Sequence, residues 1–351
     1  MVKTYNTIVY ILRGQPIHDA HKEIIVRASK LADSVVVILG SAFLPRTYKN
    51  PFSAEERYDM ISKAVVPFVD KSCEIHVEFL RDVTYNDQAW AKNLQEIVNS
   101  HTKLSDKIAL MGHKKDESSY YLNMFPQWEF VSVELINPLH ATDIRDIYFR
   151  RTVNMTFLLS VVPTEILSVV PTEIYVFLTK FKETKEYEQI IREREFILEY
   201  KKQFDSMPYP PIFVTSDAVV FCLGHVLLIK RRSEPGKGLW AFPGGFLNAT
   251  LDKSILDSMV RELREETGIK VPVPVIKGSI TNSRVFDNIN RSTRGRTITH
   301  AFKIVLSDAT LPKIRGGDDA EKARWIPVAS VKSEELFEDH YDILQWGINS
   351  D

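Results

Sequence analysis

The sequence predicts an α/β protein of two domains, the first of which is built on a doubly wound parallel sheet. The 351 residues are more than one ordinary hydrophobic core accommodates, and this favours two domains. In the first half, short apolar runs typical of buried strands alternate with helical segments. Strands that alternate with helices form parallel sheets, whose ligands bind at the carboxyl ends of the strands. The runs interpreted as strands are 7–12, 35–40, 75–80 and 108–112.

Composition argues against several classes of partner. A hydrophobic fraction of 44% with 26% charged residues is that of a globular protein. The net charge of −1 gives no electrostatic case for nucleic acid or a membrane surface, and we see no signal peptide and no apolar run of about 18 residues. Cys73 and Cys222 lie in strand-like segments and are interpreted as reduced core thiols. We therefore expect a cytoplasmic protein that binds neither nucleic acid nor membrane, with a homo-oligomer left open.

A cluster of carboxylates is the most informative feature of the second half. Glu262, Glu265 and Glu266 have the spacing i, i+3 and i+4, so a helix places them on one face. Like charges so close repel each other unless a cation lies among them, and hard oxygen ligands suit Mg²⁺ or Mn²⁺, ions that also bind phosphates. Gly268 is placed to end this helix. The opposite face carries an apolar stripe for docking on a core: Ile255, Leu256, Met259, Val260 and Leu263.

The segment resembles the Nudix box, the signature of hydrolases with an α/β/α fold and a mixed sheet. From Arg261 to Ile269 it matches the pattern at every defined position. In the first half of the box, two residues more than the pattern has separate Gly245 from Arg261, and Lys253 stands where the pattern has a glutamate. The adjacent Asp252 is the candidate substitute for that glutamate.

The resemblance implies metal-dependent hydrolysis, in which an activated water attacks a phosphorus of a nucleoside diphosphate derivative. It assigns metal binding to Glu265, Glu266 and the Gly245 carbonyl. Glu262 is either a further metal ligand or the general base, and Arg261 holds it in position by an ion pair. The expected catalytic residues are Glu262 and Glu265.

The flanks of the box extend the resemblance. Strands are predicted at 218–221, 226–229 and 323–327, and the acidic loop 317–321 is a source of a further carboxylate. A loop with three arginines around a glycine resembles a segment of ADP-ribose pyrophosphatases fused to adenylyltransferases. Because guanidinium groups bind phosphate oxygens bidentately, we expect the arginines of this loop to bind a diphosphate. These arginines are Arg291, Arg294 and Arg296.

A second motif follows the first predicted strand. His18 and His21 lie just past the end of this strand, where a helix begins, and such a position suits an anion. Together with Arg13, Gln15 and Pro16 they resemble the phosphate-binding motif of the nucleotidyltransferase superfamily, and within it that of the nicotinamide mononucleotide (NMN) adenylyltransferases. The chain departs from the pattern of this family at Leu12, Gly14 and Ala20.

Further blocks between residues 46 and 145 match the same family in the same order. The resemblance implies adenylyl transfer from ATP to NMN, with Mg²⁺ accompanying the ATP. It assigns the stabilisation of phosphate charge to His18, His21 and Arg145. It assigns substrate binding to residues spread along the first domain: Arg13, Gln15, Arg46, Trp90, Lys115 and Asp116.

Residues 156–210 are interpreted as a helical connector. It holds a tandem duplication of eight residues within 159–174, and the proline in each copy argues against one continuous helix there. The apolar pattern of 179–204 then predicts a single bridging helix. The predicted domains on either side are 1–155 and 211–351.

The two resemblances together predict a bifunctional enzyme of NAD metabolism. In this hypothesis the first domain makes NAD and pyrophosphate from ATP and NMN, and the second hydrolyses ADP-ribose to AMP and ribose 5-phosphate. Ala20 motivates an alternative, a Nudix hydrolase whose nucleotidyltransferase domain is inactive or retargeted. A second alternative is an ADP-ribose-sensing regulator, although the 24 residues after Pro327 show no basic helix-turn-helix pattern.

Overall fold

A computed structural model describes residues 3–113, 117–133, 141–150, 162–315 and 320–350. The chain divides into two compact units, Met1–Ile191 and Arg192–Asp351, and each is described by itself. No helix in the described part of the chain combines the length and the apolar character that crossing a bilayer requires.

The first unit contains a parallel sheet. Its strands are β1 (Tyr5–Leu12), β2 (Ala32–Leu39), β3 (Glu74–Phe79), β4 (Ile108–Gly112) and β5 (Glu129–Ser132). The helices that accompany them are α1 (Asp19–Leu31), α2 (Ala54–Ala64), α3 (Asp87–Asn99) and α4 (Ala141–Tyr148). The strand order is β3-β2-β1-β4-β5, and every pair of neighbouring strands is parallel. The predicted doubly wound parallel sheet is confirmed.

Helices cover both faces of this sheet, which explains why its central strands are apolar at successive positions. Ile8 of β1 and Val35 of β2 enter one core, together with side chains of α1 and α2. Their neighbours Val9 and Val36 enter a separate core on the other face, where α3 packs. All four side chains are fully buried. The carboxyl ends of β1 and β2 lead into loops whose buried Ile17 and Phe52 belong to the first of these cores.

The duplicated segment forms two short helices. They are α5 (Thr164–Leu167) and α6 (Thr172–Phe181), and each begins directly after a proline, Pro163 or Pro171. Proline suits a helix start because the first backbone N–H groups have no partner inside the helix. The prediction that these prolines interrupt the helix is confirmed.

The prediction of one bridging helix over 179–204 is wrong. The helix α6 ends at Phe181 and a separate helix, α7 (Lys185–Lys202), follows it. Thr184 separates them because its Oγ1 accepts the backbone N–H of Tyr187 at 3.2 Å, as an N-cap residue does. The apolar period continues across this break, which is why the pattern concealed it.

The second unit is built on a mixed sheet. Its strands are β6 (Ile212–Cys222), β7 (His225–Arg231), β8 (Trp240–Ala241), β9 (Gly244–Phe246), β10 (Ile280–Phe286), β11 (Arg296–Leu306) and β12 (Ala320–Pro327). The helices are α8 (Ile255–Thr267), α9 (Val273–Gly278) and α10 (His340–Asn349). The main order is β10-β11-β6-β7-β12, with β8 on β7 and β9 on β6. Only the pairing of β11 with β6 is parallel among the described strands of this sheet.

Helices lie on both faces of the mixed sheet. Ala218 of β6 shares a core with Met259 and Leu263 of α8, which confirms the predicted docking face of that helix. The next residue of β6, Val219, points to the other face, where a Cβ added to Gly347 of α10 would lie 3.0 Å from it. The predicted α/β/α arrangement with a mixed sheet is confirmed.

Candidate active sites

The loop after β1 is tied to the start of α2 by Gln15. The Gln15 side chain is 1% exposed. Its Nε2 donates to the Phe52 carbonyl and its Oε1 accepts the Phe52 N–H, both at 2.9 Å. The amide that we expected to bind substrate is thus occupied by the backbone of the protein. Its observed part in the site is to position the loop that carries the histidine motif.

Arg57 of α2 binds backbone carbonyls in the same region. Its guanidinium is 1% exposed and donates to the carbonyls of Arg13 at 2.5 Å, Gly40 at 2.8 Å and Ser41 at 3.3 Å. Burial lowers the pKa of Arg57 to about 10, so the group stays charged at neutral pH. One buried cation therefore joins the carboxyl ends of β1 and β2, where a phosphate ligand is expected. Sequence analysis placed Arg57 in a matching block but gave it no role.

Replacing Arg57 with alanine is expected to destabilise the first unit. The carbonyls of Arg13, Gly40 and Ser41 would lose this donor, two of them in buried hydrogen bonds, which should lower the free energy of unfolding by about 3 kcal/mol. Urea unfolding followed by circular dichroism measures this change. Lys63→Ala is the matched control, because Lys63 lies on the same helix with its side chain 68% exposed. A loss below about 1 kcal/mol, the usual range of a surface substitution, would contradict the bracing role of Arg57.

His18 and His21 form a stacked pair at the start of α1. His18 is the N-cap residue and is 8% exposed. Its backbone N–H donates to Nδ1 of His21 at 3.3 Å, and the two ring centroids are 3.7 Å apart. Because Nδ1 of His21 accepts, the neutral ring carries its proton on Nε2. The pair thus places imidazole groups at a helix N-terminus, where backbone N–H groups also favour an anion.

Arg145 of α4 reaches the same loop. Its Nη1 donates to the Gln15 carbonyl at 2.7 Å and its Nη2 donates to Thr142 Oγ1 at 3.1 Å. Burial lowers the pKa of Arg145, and the nearby guanidinium of Arg13 lowers it further. The exposed Arg13 side chain therefore lies close enough to Arg145 for the two charges to interact. Such a concentration of positive charge suits a phosphate ligand.

Two other predicted binding residues are held by neighbours. Arg46 forms a bidentate ion pair with Glu56, with N–O distances of 2.6 and 2.9 Å, so its charge is already matched by a carboxylate. Trp90 of α3 is half-buried, and its ring meets Tyr121 edge-on at 5.9 Å. The remaining predictions for this unit, Lys115 and Asp116, lie outside the described residues.

Gly14 explains one departure from the family pattern. Its φ of 60° is in the left-handed region. A Cβ at this position would lie 2.5 Å from Cδ1 of the buried Ile17. The phenylalanine of the family pattern would therefore be strained in this loop conformation. Ala20, the departure nearest the histidines, is buried in the first turn of α1.

In the second unit, two adjacent glycines bring the backbone of β9 against the acidic face of α8. A Cβ on Gly245 would lie 2.5 Å from Oε1 of Glu262. The N–H of Gly244 donates to Oε2 of Glu266 at 2.9 Å, and Glu266 is 6% exposed. A side chain at Gly245 would displace the Glu262 carboxylate. The glycines thus allow the backbone of β9 to approach the Glu262 and Glu266 carboxylates closely.

The buried carboxyl groups near these glycines have raised pKa values. Burial, with a smaller contribution from the neighbouring Glu262 carboxylate, raises the pKa of Glu266 to about 8. Burial also raises the pKa of Glu262. Asp217 of β6 accepts a hydrogen bond from Thr299 Oγ1 at 2.5 Å, and burial raises its pKa to about 6. Acidic groups in such an environment gain most from a nearby cation.

Arg261 organises the exposed side of the acidic face. Its Nη1 donates to Glu262 at 2.8 Å and to Glu265 at 3.0 Å, as expected for a residue that orients the glutamates. Its Nε and Nη2 bind the two oxygens of Asp252, both at 2.8 Å. This pair holds the pKa of Asp252 far below its usual range. Asp252, the candidate substitute for the glutamate that the Nudix pattern has at position 253, therefore supplies the carboxylate that pairs with Arg261.

The donor set fits a hard divalent cation, although the side chains are not yet arranged around one. Within the described residues, no three acidic, histidine or cysteine side chains converge as metal ligands. Arg261 binds one oxygen each of Glu262 and Glu265. Carboxylate and carbonyl oxygens, the donors predicted here, are of the kind that suits Mg²⁺ or Mn²⁺.

Replacing Asp252 with asparagine is expected to weaken the metal site without removing a ligand. Arg261 would lose its bidentate partner and pull more strongly on the glutamates. Hydrolysis should fall about 10- to 100-fold, the usual cost of losing a group that orients metal ligands. Titrating the activity with Mg²⁺ measures the effect, which should include a higher metal requirement. Lys253→Ala is the matched control, and an equal loss in both variants would contradict the role of Asp252.

The structure places the arginines of the predicted diphosphate loop in different surroundings. Arg291 is 6% exposed and forms a bidentate ion pair with Asp339, both distances being 2.9 Å. The loop folds back on the segment before α10, where Glu338 accepts the N–H of Thr293 at 3.1 Å, so the Arg291 guanidinium is already paired inside the protein. Its assignment to substrate binding is therefore corrected to a structural role. Arg294 stays available, with its guanidinium 4.9 Å from the centre of the Phe246 ring.

Two predicted features of the second site remain, Arg296 and the acidic loop 317–321. Arg296 is half-buried at the start of β11, where it pairs with Ile212 of β6. Residues 316–319 of the predicted acidic loop, and the side chains of the two residues that follow, lie outside the described part of the chain. The further carboxylate expected there stays a prediction.

Known proteins resemble each half of the chain, and one resembles the whole chain. The family model described as Cytidylyltransferase-like matches residues 15–147, and the one described as NUDIX domain matches residues 213–347. The crystal structure of a bifunctional NMN adenylyltransferase/ADP ribose pyrophosphatase from Francisella tularensis agrees with a TM-score of 0.89. The two chains are 34% identical, and the match covers 99% of each. The chain belongs to this bifunctional family. A second structure of the Francisella protein contains AMP and a manganese ion and agrees with a TM-score of 0.86.

Each half of this bifunctional family member also resembles shorter proteins. A nicotinamide/nicotinic acid mononucleotide adenylyltransferase of Acinetobacter baylyi is 40% identical over 41% of this chain and 76% of its own length. An ADP-ribose pyrophosphatase of Methanocaldococcus jannaschii is 28% identical over 45% of this chain and 84% of its own. An ADPR responsive transcriptional repressor of Acinetobacter baylyi is 30% identical over 44% of this chain and 58% of its own. Membership in the Nudix family indicates a divalent metal at the second site.

In this bifunctional protein, the residues that sequence analysis missed lie between the motifs. Asp217 and Asp339 face the second site or its supporting loop, and Arg57 braces the first. Asp217 left one signal, since it is a charged residue within the otherwise apolar strand β6. Arg57 lay in a block that matched the family but showed no role there, and Asp339 left no signal, because the partners of both residues are distant in the sequence.

Proposed function

We propose that the first unit transfers the adenylyl group of ATP to NMN, giving NAD and pyrophosphate, and that the second hydrolyses ADP-ribose to AMP and ribose 5-phosphate. The observation that carries this proposal is the whole-chain agreement with a bifunctional enzyme of both kinds, at 34% identity over 99% of each chain. We assign the first reaction to residues 1–155 and the second to 211–351, with 156–210 as the connector.

In the first reaction, an oxygen of the NMN phosphate attacks the α-phosphorus of ATP and pyrophosphate leaves. This step needs no covalent intermediate with the protein, so catalysis comes from positioning and from neutralising charge. His18, His21 and Arg145 converge on the loop after β1 and stabilise the phosphate charge. Arg13 adds positive charge, Arg46 would contribute only if it left its ion pair with Glu56, and Trp90 offers an aromatic face to a ring of the substrate. Mg²⁺ bound to ATP supplies further charge neutralisation.

In the second reaction, Glu265, Glu266 and the Gly245 carbonyl would hold Mg²⁺ or Mn²⁺, with Glu262 as a further ligand or as the general base. The bound cation would supply polarisation of the phosphate and a more acidic water molecule. Glu262 has a pKa raised by burial, and this suits a group that takes the proton of the attacking water. The ion pair between Arg261 and Asp252 keeps the glutamates oriented. Without a bound cation, the negative charge of these carboxylates would repel the negatively charged diphosphate of the substrate.

A chromatographic assay of the purified protein tests both halves of the proposal. One sample contains NMN, ATP and Mg²⁺ and is examined for NAD, and a parallel sample contains ADP-ribose and is examined for AMP. Both products support the bifunctional assignment and show that Leu12, Gly14 and Ala20 are tolerated variants. AMP without NAD would mean that the first unit is inactive or retargeted. Binding of ADP-ribose without hydrolysis, together with specific DNA binding, would favour a regulator.

A further inference from the structure

We propose that Arg231 of β7, together with Arg294, binds the diphosphate of the substrate in the second unit. This assignment replaces the role expected of Arg291 and rests on the proposed hydrolysis of a nucleoside diphosphate sugar. Sequence analysis gave Arg231 no function, since it lies before the Nudix box in a run of three basic residues.

The Arg231 guanidinium is held in one orientation by the protein. Its Nε donates to the Pro235 carbonyl at 3.0 Å, and its plane lies over the Phe337 ring with the guanidinium carbon 4.0 Å from the ring centre. Its backbone N–H donates to the Leu239 carbonyl at 2.9 Å. The protein thus binds the Nε edge and one face of the group. The two Nη groups remain as donors, and a guanidinium with a fixed plane is suited to bidentate phosphate binding.

Arg294 approaches the same aromatic ring from the arginine loop. Its guanidinium carbon is 5.9 Å from the centre of the Phe337 ring and 4.9 Å from that of Phe246. Burial lowers the pKa of Arg231, and the positive charge of Arg294 lowers it further, so the two charges are close. Among the described residues, no carboxylate lies within ion-pair distance of either guanidinium, whereas Arg261 and Arg291 both have such partners.

Two neighbouring cations that are not in ion pairs repel each other, and this arrangement is stabilised when an anion binds between them. A diphosphate supplies two adjacent phosphate groups for a pair of guanidinium groups. The Glu338 carboxylate interacts electrostatically with both arginines from beyond ion-pair distance, and Glu266 and Asp217 interact in the same way with Arg231. An anion bound by the two arginines therefore lies beside the carboxylates that hold the cation, as hydrolysis of a diphosphate requires.

The helix α7 supports this arrangement. Glu193 is 6% exposed, and its Oε1 accepts the N–H of Gly236 at 3.1 Å. Gly236 has a φ of 74°, in the left-handed region, and follows the proline whose carbonyl binds Arg231. Glu193, which belongs to the second unit, therefore helps to shape the substrate site of that unit, because it fixes the turn that orients Arg231.

The test compares Arg231→Ala with Arg232→Ala, since the exposed Arg232 is the adjacent residue and has the same charge. For Arg231→Ala we expect the KM for ADP-ribose, and the inhibition constant of inorganic diphosphate against this hydrolysis, to rise about 10- to 100-fold. Arg231→Lys should be intermediate, because lysine keeps the charge and loses the bidentate geometry. Arg232→Ala should change both constants less than about twofold.

A second readout does not depend on hydrolysis. ADP-ribose is titrated calorimetrically into each variant in EDTA, where binding by the first unit contributes equally to all of them. Weaker binding by Arg231→Ala alone supports the proposal. An unchanged KM and unchanged calorimetric binding, with only kcat reduced, would overturn it, as would equal losses in the Arg231 and Arg232 variants. NAD formation by the same preparations verifies that each variant is folded. If Arg231→Ala unfolds, the KM and the calorimetric binding of Arg231→Lys test the proposal instead. Failure of the wild type to hydrolyse ADP-ribose would instead reject the proposed function.

Discussion

Replacing Glu265 with glutamine is expected to lower ADP-ribose hydrolysis at least about 100-fold, which corresponds to about 2.7 kcal/mol of transition-state stabilisation. Glutamine has the shape of glutamate and keeps one oxygen for Arg261. It lacks the negative charge that a hard cation requires of its ligand. Because the Glu265 side chain is 49% exposed, the change should leave the fold intact. Initial rates of AMP release at saturating Mg²⁺ measure the effect.

Asp257→Asn on the same helix is the control for this prediction. Asp257 also loses a negative charge on substitution, but it pairs with Lys277 at 2.7 Å and is not among the proposed ligands. We expect this variant to hydrolyse ADP-ribose within about threefold of the wild type, as surface ion pairs contribute little. NAD formation should be unchanged in both variants. Comparable hydrolysis by Glu265→Gln and wild type would remove Glu265 from the metal site.

Replacing His18 with alanine is expected to lower NAD formation about 100-fold or more, and to leave ADP-ribose hydrolysis unchanged. The imidazole lies at the N-terminus of α1, where the phosphates of ATP are proposed to bind. Within the motif, His18 is the N-cap residue of this helix. Its loss also removes the ring that stacks on His21 at 3.7 Å. Rates of NAD production with ATP and NMN in excess measure the change.

The control for His18→Ala must separate catalysis from folding, because loss of an N-cap residue costs about 1 kcal/mol. His76→Ala removes another stacked imidazole of the same unit, whose ring centre lies 4.3 Å from that of His101 on the side of the edge strand β3. It should form NAD at a normal rate. If His18→Ala also removed hydrolysis, or if both histidine variants were equally impaired, the model of two independent sites would fail.

The local features of both sites could be predicted from spacing alone. A helix turns by a constant angle per residue, so the positions of Glu262, Glu265 and Glu266 predict that they share a face wherever the helix packs. The apolar stripe and Gly268 likewise indicate which face is buried and where the helix ends. The break between α6 and α7 was missed because one threonine cap changes the backbone without disturbing the apolar period.

Contacts between distant segments could not be predicted in this way. Arg291 and Arg294 are equivalent in a loop read as sequence, yet one is buried against Asp339, 48 positions away, and the other lies over Phe246. The pairing of Arg57 with the ends of β1 and β2 is of the same kind. The partner of each arginine depends on how the loops fold over the sheet. The periodicity of a single sequence does not predict such contacts between distant segments.

The sequence by itself therefore determined the fold class, the two motifs and the acidic face of α8, because these follow from the periodicity of single helices and strands. The tertiary structure alone decided that Asp252 pairs with Arg261, that Arg291 is structural, and that Arg231 and Asp217 stand beside the glutamates. These assignments depend on burial and on distances across the chain. Burial determines whether a charged side chain must be paired inside the protein or is left to meet a ligand.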